Sequence, residues 1–310
     1  MSIASLAELA KNDPSWDQAL KIAQRCMPVA SNVWRLLRAG WYGQVDYREY
    51  MHMLGFSRLN LFCLIDCAGL SQEGEPVDAK LLERALQKLG LRFSSVVLAI
   101  NHVCSCALSN KAPPAWKRLM QETMSDIEIG YHFGARAGAL GLEGGCIMGL
   151  ATHAGHLALM KHDPVAFKKW YTTTKELQAP QAIFGCEPYQ LAACIVQQLG
   201  FGHEAAIGVA LALGRLNPKG VSLDKLTLGW KSAVLWVEAL REGRGYPAEP
   251  EMRHVFHEVA PPRDTNSRNP ILDTLYAEVS HLRTDHSKWT WHLPKSSYDL
   301  TSAAFGLGLD

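Results

Sequence analysis

Apolar residues recur at helical spacing along almost the whole chain. In "NDPSWDQALKIAQRC" they are Trp16, Ala19, Leu20 and Ala23, preceded by Asp13 as a cap and Pro14 at the first helical position, where its missing N–H does no harm. "PVDAKLLERALQKLG" sets Leu81, Leu82, Ala85, Leu86 and Leu89 on one side and Lys80, Glu83, Arg84 and Lys88 on the other, and it stops at Gly90. Both read as surface helices with one buried face. "FSSVVLAINHVCSCAL" and "GGCIMGLATHAGHLAL" are apolar nearly all round, the pattern of central helices in a large helical protein. The same reasoning predicts helices over residues 29–39, 47–53, 59–68, 116–139, 164–177, 188–199, 204–213 and 223–241, and a last amphipathic one in "ILDTLYAEVSHL".

Strand signals are nearly absent. Only "SSVVLAI" is β-branched enough to compete, and it runs into "NHVCSCAL" without a turn, which favours helix. Residues 243–270 shift toward Pro, Arg and polar types and read as a long surface excursion. "DHSKWTWHLPKSSYDL" reads as a tail that docks back through Trp289 and Trp291. There is no repeat of fixed period, which argues against a solenoid. The predicted architecture is one all-α domain, residues 1–242, with a loop, helix and tail extension, residues 243–310, packing on it.

Composition agrees with a large buried core: of 310 residues, 48% are hydrophobic and 20% charged. Lys and Arg number 31 against 30 Asp and Glu, a net charge of +1, so nothing steers the whole molecule toward nucleic acid or an anionic membrane. The first thirty residues lack the charged start and apolar run of a secretory signal, and no segment offers about eighteen uninterrupted apolar residues. The expectation is a cytoplasmic protein with no membrane span. Its eight cysteines lie in or beside apolar helical patterns and read as reduced thiols packed as small hydrophobes. Cys63 and Cys67 share a helix face, but no CxxC occurs, and Cys104 and Cys106 point to different sides, so zinc on these thiols is disfavoured.

The chemistry-bearing stretch is "GLATHAGHLAL", in which His153 and His156 fall on one helix face. Holding a metal would take a third ligand, with His132, Asp126, Glu128 or Glu187 as candidates. Histidines on an apolar helix are more often satisfied by carbonyls or neighbouring side chains, and His102 in "AINHVCSC" reads the same way. Asp126 and Glu128, two apart, read as the start of a solvated face. A thiol nucleophile would need Cys104 activated by His102, which lies on a different face. No GxSxG, P-loop or strand-borne GxGxxG is present, and "GFGHEAAIG" reads as a tight interhelical turn.

Taken in order, "SWDQALKIAQRCMPVASNVWRLLRAG", "YREYMHMLGFSRLNLFCL", "GLATHAGHLAL" and "FGCEPYQLAACIVQQLGF" resemble the HDOD family, the HD-related output domains of bacterial signalling, over roughly residues 10–240. The resemblance implies a multi-helix HD-like bundle. In catalytic HD phosphohydrolases, histidines and an aspartate hold a metal that makes a hydroxide and clamps a phosphate. Matching Gly149 and Gly155 to the glycines around the family's His-Asp pair places Thr152 at the histidine and His153 at the aspartate. The upstream metal histidine falls near Thr123, and a later one falls on Pro188.

The resemblance therefore implies a degenerate metal site, no cofactor, and a non-catalytic regulator or adaptor that binds a protein or small ligand. Its partner in bacterial signalling would be a kinase, cyclase or phosphodiesterase. The candidate ligand pocket is Thr152, His153, His156, Phe184 and Glu187. A metal site rebuilt on His153, His156 and His132 would instead make a divergent phosphohydrolase of nucleotides or cyclic dinucleotides. A third reading is a structural partner in an oligomer, anchored by Trp289 and Trp291.

Overall fold

The computed structural model describes residues 5–11, 13–57, 59–70, 78–108, 113, 115–174, 179–217, 223–264 and 267–289. Among the described residues there are sixteen α-helices and no strand. They are α1 (Leu6–Ala10), α2 (Ser15–Cys26), α3 (Ser31–Trp41), α4 (Tyr47–Ser57), α5 (Phe62–Cys67), α6 (Ala79–Leu89), α7 (Leu91–Leu108) and α8 (Trp116–Gly134). After the turn come α9 (Gly141–His162), α10 (Pro164–Lys169), α11 (Pro180–Phe184), α12 (Pro188–Gln198), α13 (His203–Leu213), α14 (Lys225–Arg241), α15 (Pro250–Arg253) and α16 (Pro270–Ser280). The chain is all-α. One hydrophobic core runs through it from Leu6 to Leu282.

Local chemistry sets the helix ends. The Asp13 carboxylate accepts from the backbone N–H of Ser15 at 3.0 Å and from its hydroxyl at 2.6 Å, holding the start of α2. Gly90, at φ +75°, closes α6 by donating its N–H to the Leu86 carbonyl. A capping box of Glu187 and Gln190 opens α12, with Pro188 at its first turn.

Three predicted elements come out differently. The helix expected over 116–139 ends at Gly134, because residues 135–140 turn the chain back on itself to start α9 at Gly141, φ +72°. The helix expected over 164–177 is α-helical to Lys169 and continues over Trp170–Thr174 as a wider π-type turn that buries Trp170 and Tyr171, while residues 175–177 lie outside the described residues. The excursion at 243–270 is not wholly on the surface. Met252, Phe256 and Val259 are buried, and the Met252 carbonyl accepts from the Ser232 hydroxyl at 2.9 Å and the Trp236 indole at 3.3 Å. Three anchors among so many polar residues leave little trace in composition. Of the two tail tryptophans, Trp289 packs edge-on to Tyr131 at 5.2 Å, while Trp291 lies outside the described residues.

At the centre stands α9, packed by α2, α7, α8, α10, α12, α13 and α14. From Gly144 to Met160 every residue except His156 is buried. The apolar α7, which by length and composition alone could cross a membrane, is likewise 67% buried inside the fold.

The tightest contact is between α8 and α9, which run antiparallel with glycines in register. A Cβ added at Gly145 would lie 1.8 Å from the Gly130 carbonyl oxygen, and one at Gly149 would lie 2.2 Å from the Asp126 carbonyl oxygen. Spacing by four keeps Asp126, Gly130 and Gly134 on one face of α8, opposite Gly149, Gly145 and Gly141 of α9. Backbone meets backbone with no side-chain layer between.

Gly145→Ala should therefore cost about 3 kcal/mol or more, since both helices must separate to admit the methyl. Gly55→Ala, in α4 where an added Cβ meets nothing within 4 Å, should instead gain up to about 1 kcal/mol. Urea unfolding of the two variants checks this; equal stability of Gly145→Ala and wild type would refute the close packing.

Candidate functional site

Because Gly149 seats α9 directly on the α8 backbone at Asp126, the Asp126 side chain is carried into the seam and is 0% exposed. A buried carboxylate must be compensated. Its Oδ2 accepts from the Thr152 hydroxyl at 2.7 Å and from the Arg241 guanidinium at 2.8 Å. The Nε2 of His153 lies 3.1 Å from the same oxygen, an electrostatic contact without hydrogen-bond alignment. Asp126 Oδ1 and His153 Nδ1 are buried without a hydrogen-bond partner among the described residues. Burial alone would push the Asp126 carboxyl up, but His153, Arg241 and Thr152 outweigh it and hold the group below its ordinary value.

Beside this cluster opens a cavity of about 510 Å³. Thr152, His153 and His156 of α9 line one wall, Glu122 of α8 and Glu238 and Arg241 of α14 another. The facing side is more apolar, with Trp170, Pro180, Pro188, Tyr189 and Leu213. The His156 ring stacks on Trp170 at 5.8 Å and 11°. Glu122 accepts from the Tyr171 hydroxyl and from Arg118 Nε at 2.9 Å. Burial pushes the Glu122 carboxyl up, yet Tyr171, Arg118 and His153 together bring it below its ordinary value. Glu187 completes the rim where α12 begins, accepting the Gln181 N–H at 3.2 Å as well as its own capping bond. A close approach places it there: a Cβ at Gly155 would lie 1.9 Å from the Pro188 carbonyl oxygen, so α12 starts against α9.

The crystal structure of an HDOD domain protein with unknown function from Geobacter sulfurreducens matches 86% of this chain and 95% of its own, with a TM-score of 0.56 and 15% sequence identity. The chain has the fold of an HDOD domain. No family model matches the sequence, and no curated protein does.

On this HDOD fold the sequence-predicted pocket residues Thr152, His153, His156 and Glu187 converge on the cavity, and Phe184 stands behind it, edge-on to Trp170 at 6.1 Å. Thr152 and His153, the two positions that the sequence resemblance matched to a His-Asp pair, both contact Asp126. Thr123 is buried with its hydroxyl on the Leu119 carbonyl. His132 does not join them: it pairs with Glu278 of α16 at 3.1 Å and lies 4.0 Å from Glu128. The solvated face expected at Asp126 and Glu128 is corrected as well, since the first is wholly buried and the second nearly so. Spacing along one helix could not reveal that α9 and α14 close over Asp126.

Among the described residues no group of three His, Cys, Asp or Glu is placed to hold a metal ion. None of the eight thiols forms a disulfide and six of them are buried, with burial pushing Cys104 up to about 12. His102 is satisfied by the Pro28 carbonyl at 2.9 Å and meets Cys106, not Cys104, at 3.8 Å. Site residues that escaped the sequence reading include Glu122, Trp170, Tyr171, Tyr189, Glu238 and Arg241. For Arg241, the last residue of an apolar helix, nothing local signals an inward-turned side chain.

Asp126 titrates below its ordinary value, so the stability it contributes is present above pH 3.8 and is lost as pH falls through the lower folded value. Arg241→Ala should cost about 3 kcal/mol or more at neutral pH, and adding Asp126→Asn should restore much of it. In acid the penalty of Arg241→Ala should shrink as Asp126 takes up a proton. Urea titrations near pH 7 and pH 3 measure these effects; a double variant no more stable than the single one would contradict the pairing.

Proposed function

We propose that this chain is a non-catalytic HDOD-type regulator or adaptor that works by binding at the cavity between α9, α12 and α14. One observation carries the reading: the guanidinium of Arg241 sits 2.8 Å from the carboxylate oxygen that a metal-dependent site would need. A divalent ion requires anionic ligands with lone pairs turned toward it and no fixed cation alongside. Here Oδ2 of Asp126 is already shared by a guanidinium, a hydroxyl and an imidazole. The neutral Thr152 hydroxyl supplies no charge in exchange, and an ion placed there would meet the Arg241 cation at close range. The residues present do not fit the metal of the HD phosphohydrolases.

What the neighbouring HDOD structure contributes is the fold, its own function being unknown. A role in bacterial signalling, beside a kinase, cyclase or phosphodiesterase, follows from the family resemblance alone. The test is elemental analysis of protein purified without added metal. Iron, manganese and zinc should each be far below one per chain, and phosphodiester hydrolysis should be absent. Near-stoichiometric metal that is lost on His153→Ala would overturn the reading.

A further inference from the structure

Away from the cavity, α8 turns a second polar face toward the C-terminal extension. Spacing by four puts Glu128, His132 and Arg136 in a row along it, and α16 lays Glu278 against that row. The His132 ring stands between two carboxylates. Its Nδ1 lies 3.1 Å from Glu278 Oε2, and its Nε2 lies 4.0 Å from Glu128 Oε1. Arg136 donates one guanidinium N–H to Glu278 Oε1 and another to the His132 carbonyl at 3.0 Å.

Charges in this row do not balance unless His132 carries a proton. Two carboxylates face one fixed cation, Arg136, which is in contact with Glu278 rather than Glu128. The Glu128 side chain is only 12% exposed, and both its Oε2 and the Oε2 of Glu278 are buried with no hydrogen-bond partner among the described residues. Buried carboxylate oxygens without a donor or a matching cation are unfavourable. Neighbouring groups do not supply the missing charge. Tyr131 of α8 meets His132 edge-on at 5.5 Å, and burial pushes its hydroxyl up, so it stays neutral. In α14, Lys231 pairs with Glu249 and Arg241 with Asp126. In the 3-10 turn after α16, Arg283 donates to the Tyr276 hydroxyl at 2.9 Å and His281 is exposed, as are His286 and Lys288 beyond it.

We propose that His132 is a proton-operated clasp for the C-terminal extension. Protonated, it bridges Glu128 of α8 and Glu278 of α16 and tightens docking; deprotonated, it leaves the two carboxylates under-matched and loosens it. Leu272, Leu275 and Val279 anchor α16 by burial at any pH, so the clasp modulates docking rather than creating it. Linkage fixes the sign. A proton that the docked arrangement favours must favour that arrangement in turn, so docking strengthens as pH falls through the range where histidine ordinarily titrates. Asp126 acts in the opposite direction and only below its ordinary value of 3.8, so the two effects separate along the pH axis.

Hydrogen exchange on the full chain, corrected for the intrinsic effect of pH, tests the clasp. Amides of α16 should be protected about threefold or more better at about pH 6 than at about pH 8. His132→Gln should abolish the difference and leave α16 at its weaker level. Glu128→Gln removes the unmatched charge, so it should raise protection at about pH 8 and shrink the dependence. The proposal is overturned if α16 protection in the wild type does not change with pH, or if His132→Gln keeps the wild-type dependence. Should His132→Gln fail to fold, Glu128→Gln decides: an undiminished pH dependence there overturns the clasp.

Discussion

Between α8 and α9 there is no layer of side chains. Carbonyl oxygens of one helix face glycines of the other, and the two backbones close to a distance that any β-carbon at Gly130, Gly145 or Gly149 would forbid. From that contact the rest follows in steps. Asp126 lies on the touching face of α8, so its carboxylate is removed from water. A buried charge of this kind costs several kcal/mol unless matched, and the match comes from α9 through Thr152 and His153 and from α14 through Arg241. The helix carrying Arg241 is thereby fixed against α8, while the glycine at position 155 fixes α12 against α9. The cavity is the space left between elements whose positions were set for other reasons.

Electrostatics then sets the character of this site. A hydrolytic metal site gathers carboxylate and imidazole around an open coordination position. Here the same types of side chain gather around a guanidinium belonging to the chain itself. On the rim, Glu122 is paired by Arg118 and Glu238 by Arg215, while Glu187 is engaged by backbone N–H groups at the start of α12.

Much of this was legible before any coordinates. Amphipathic spacing in α2 and α6 and the all-round apolar character of α7 and α9 located those helices, because burial of a face or of a whole helix leaves a direct mark on residue type. His153 and His156 stood out as polar residues on an apolar helix, Thr152 came from matching Gly149 and Gly155 to the glycines of the family pattern, and Glu187 entered as a candidate third ligand. Helix ends at Gly134 and Lys169 were not legible, since the turn at 135–140 and the change to a π-type turn at Trp170 leave the apolar pattern unbroken. Asp126 was misread for a related reason. Its partner Arg241 is 115 residues away, and a carboxylate on a helix looks the same in sequence whether water or another helix lies over it. The spacing of Gly130 and Gly134 after Asp126 was the one available hint, visible only when α8 is set beside α9.

The pairing of Asp126 with Arg241 has an evolutionary consequence. Losing the arginine first leaves a bare anion in the protein interior; losing the aspartate first leaves a guanidinium with its main partner gone. The first intermediate strands a wholly buried charge, whereas the second leaves a guanidinium that is one third exposed and within 4.0 Å of Glu238 and Glu242, so the order of loss matters. Drift at these two positions therefore runs more easily through the loss of Asp126 than through the loss of Arg241.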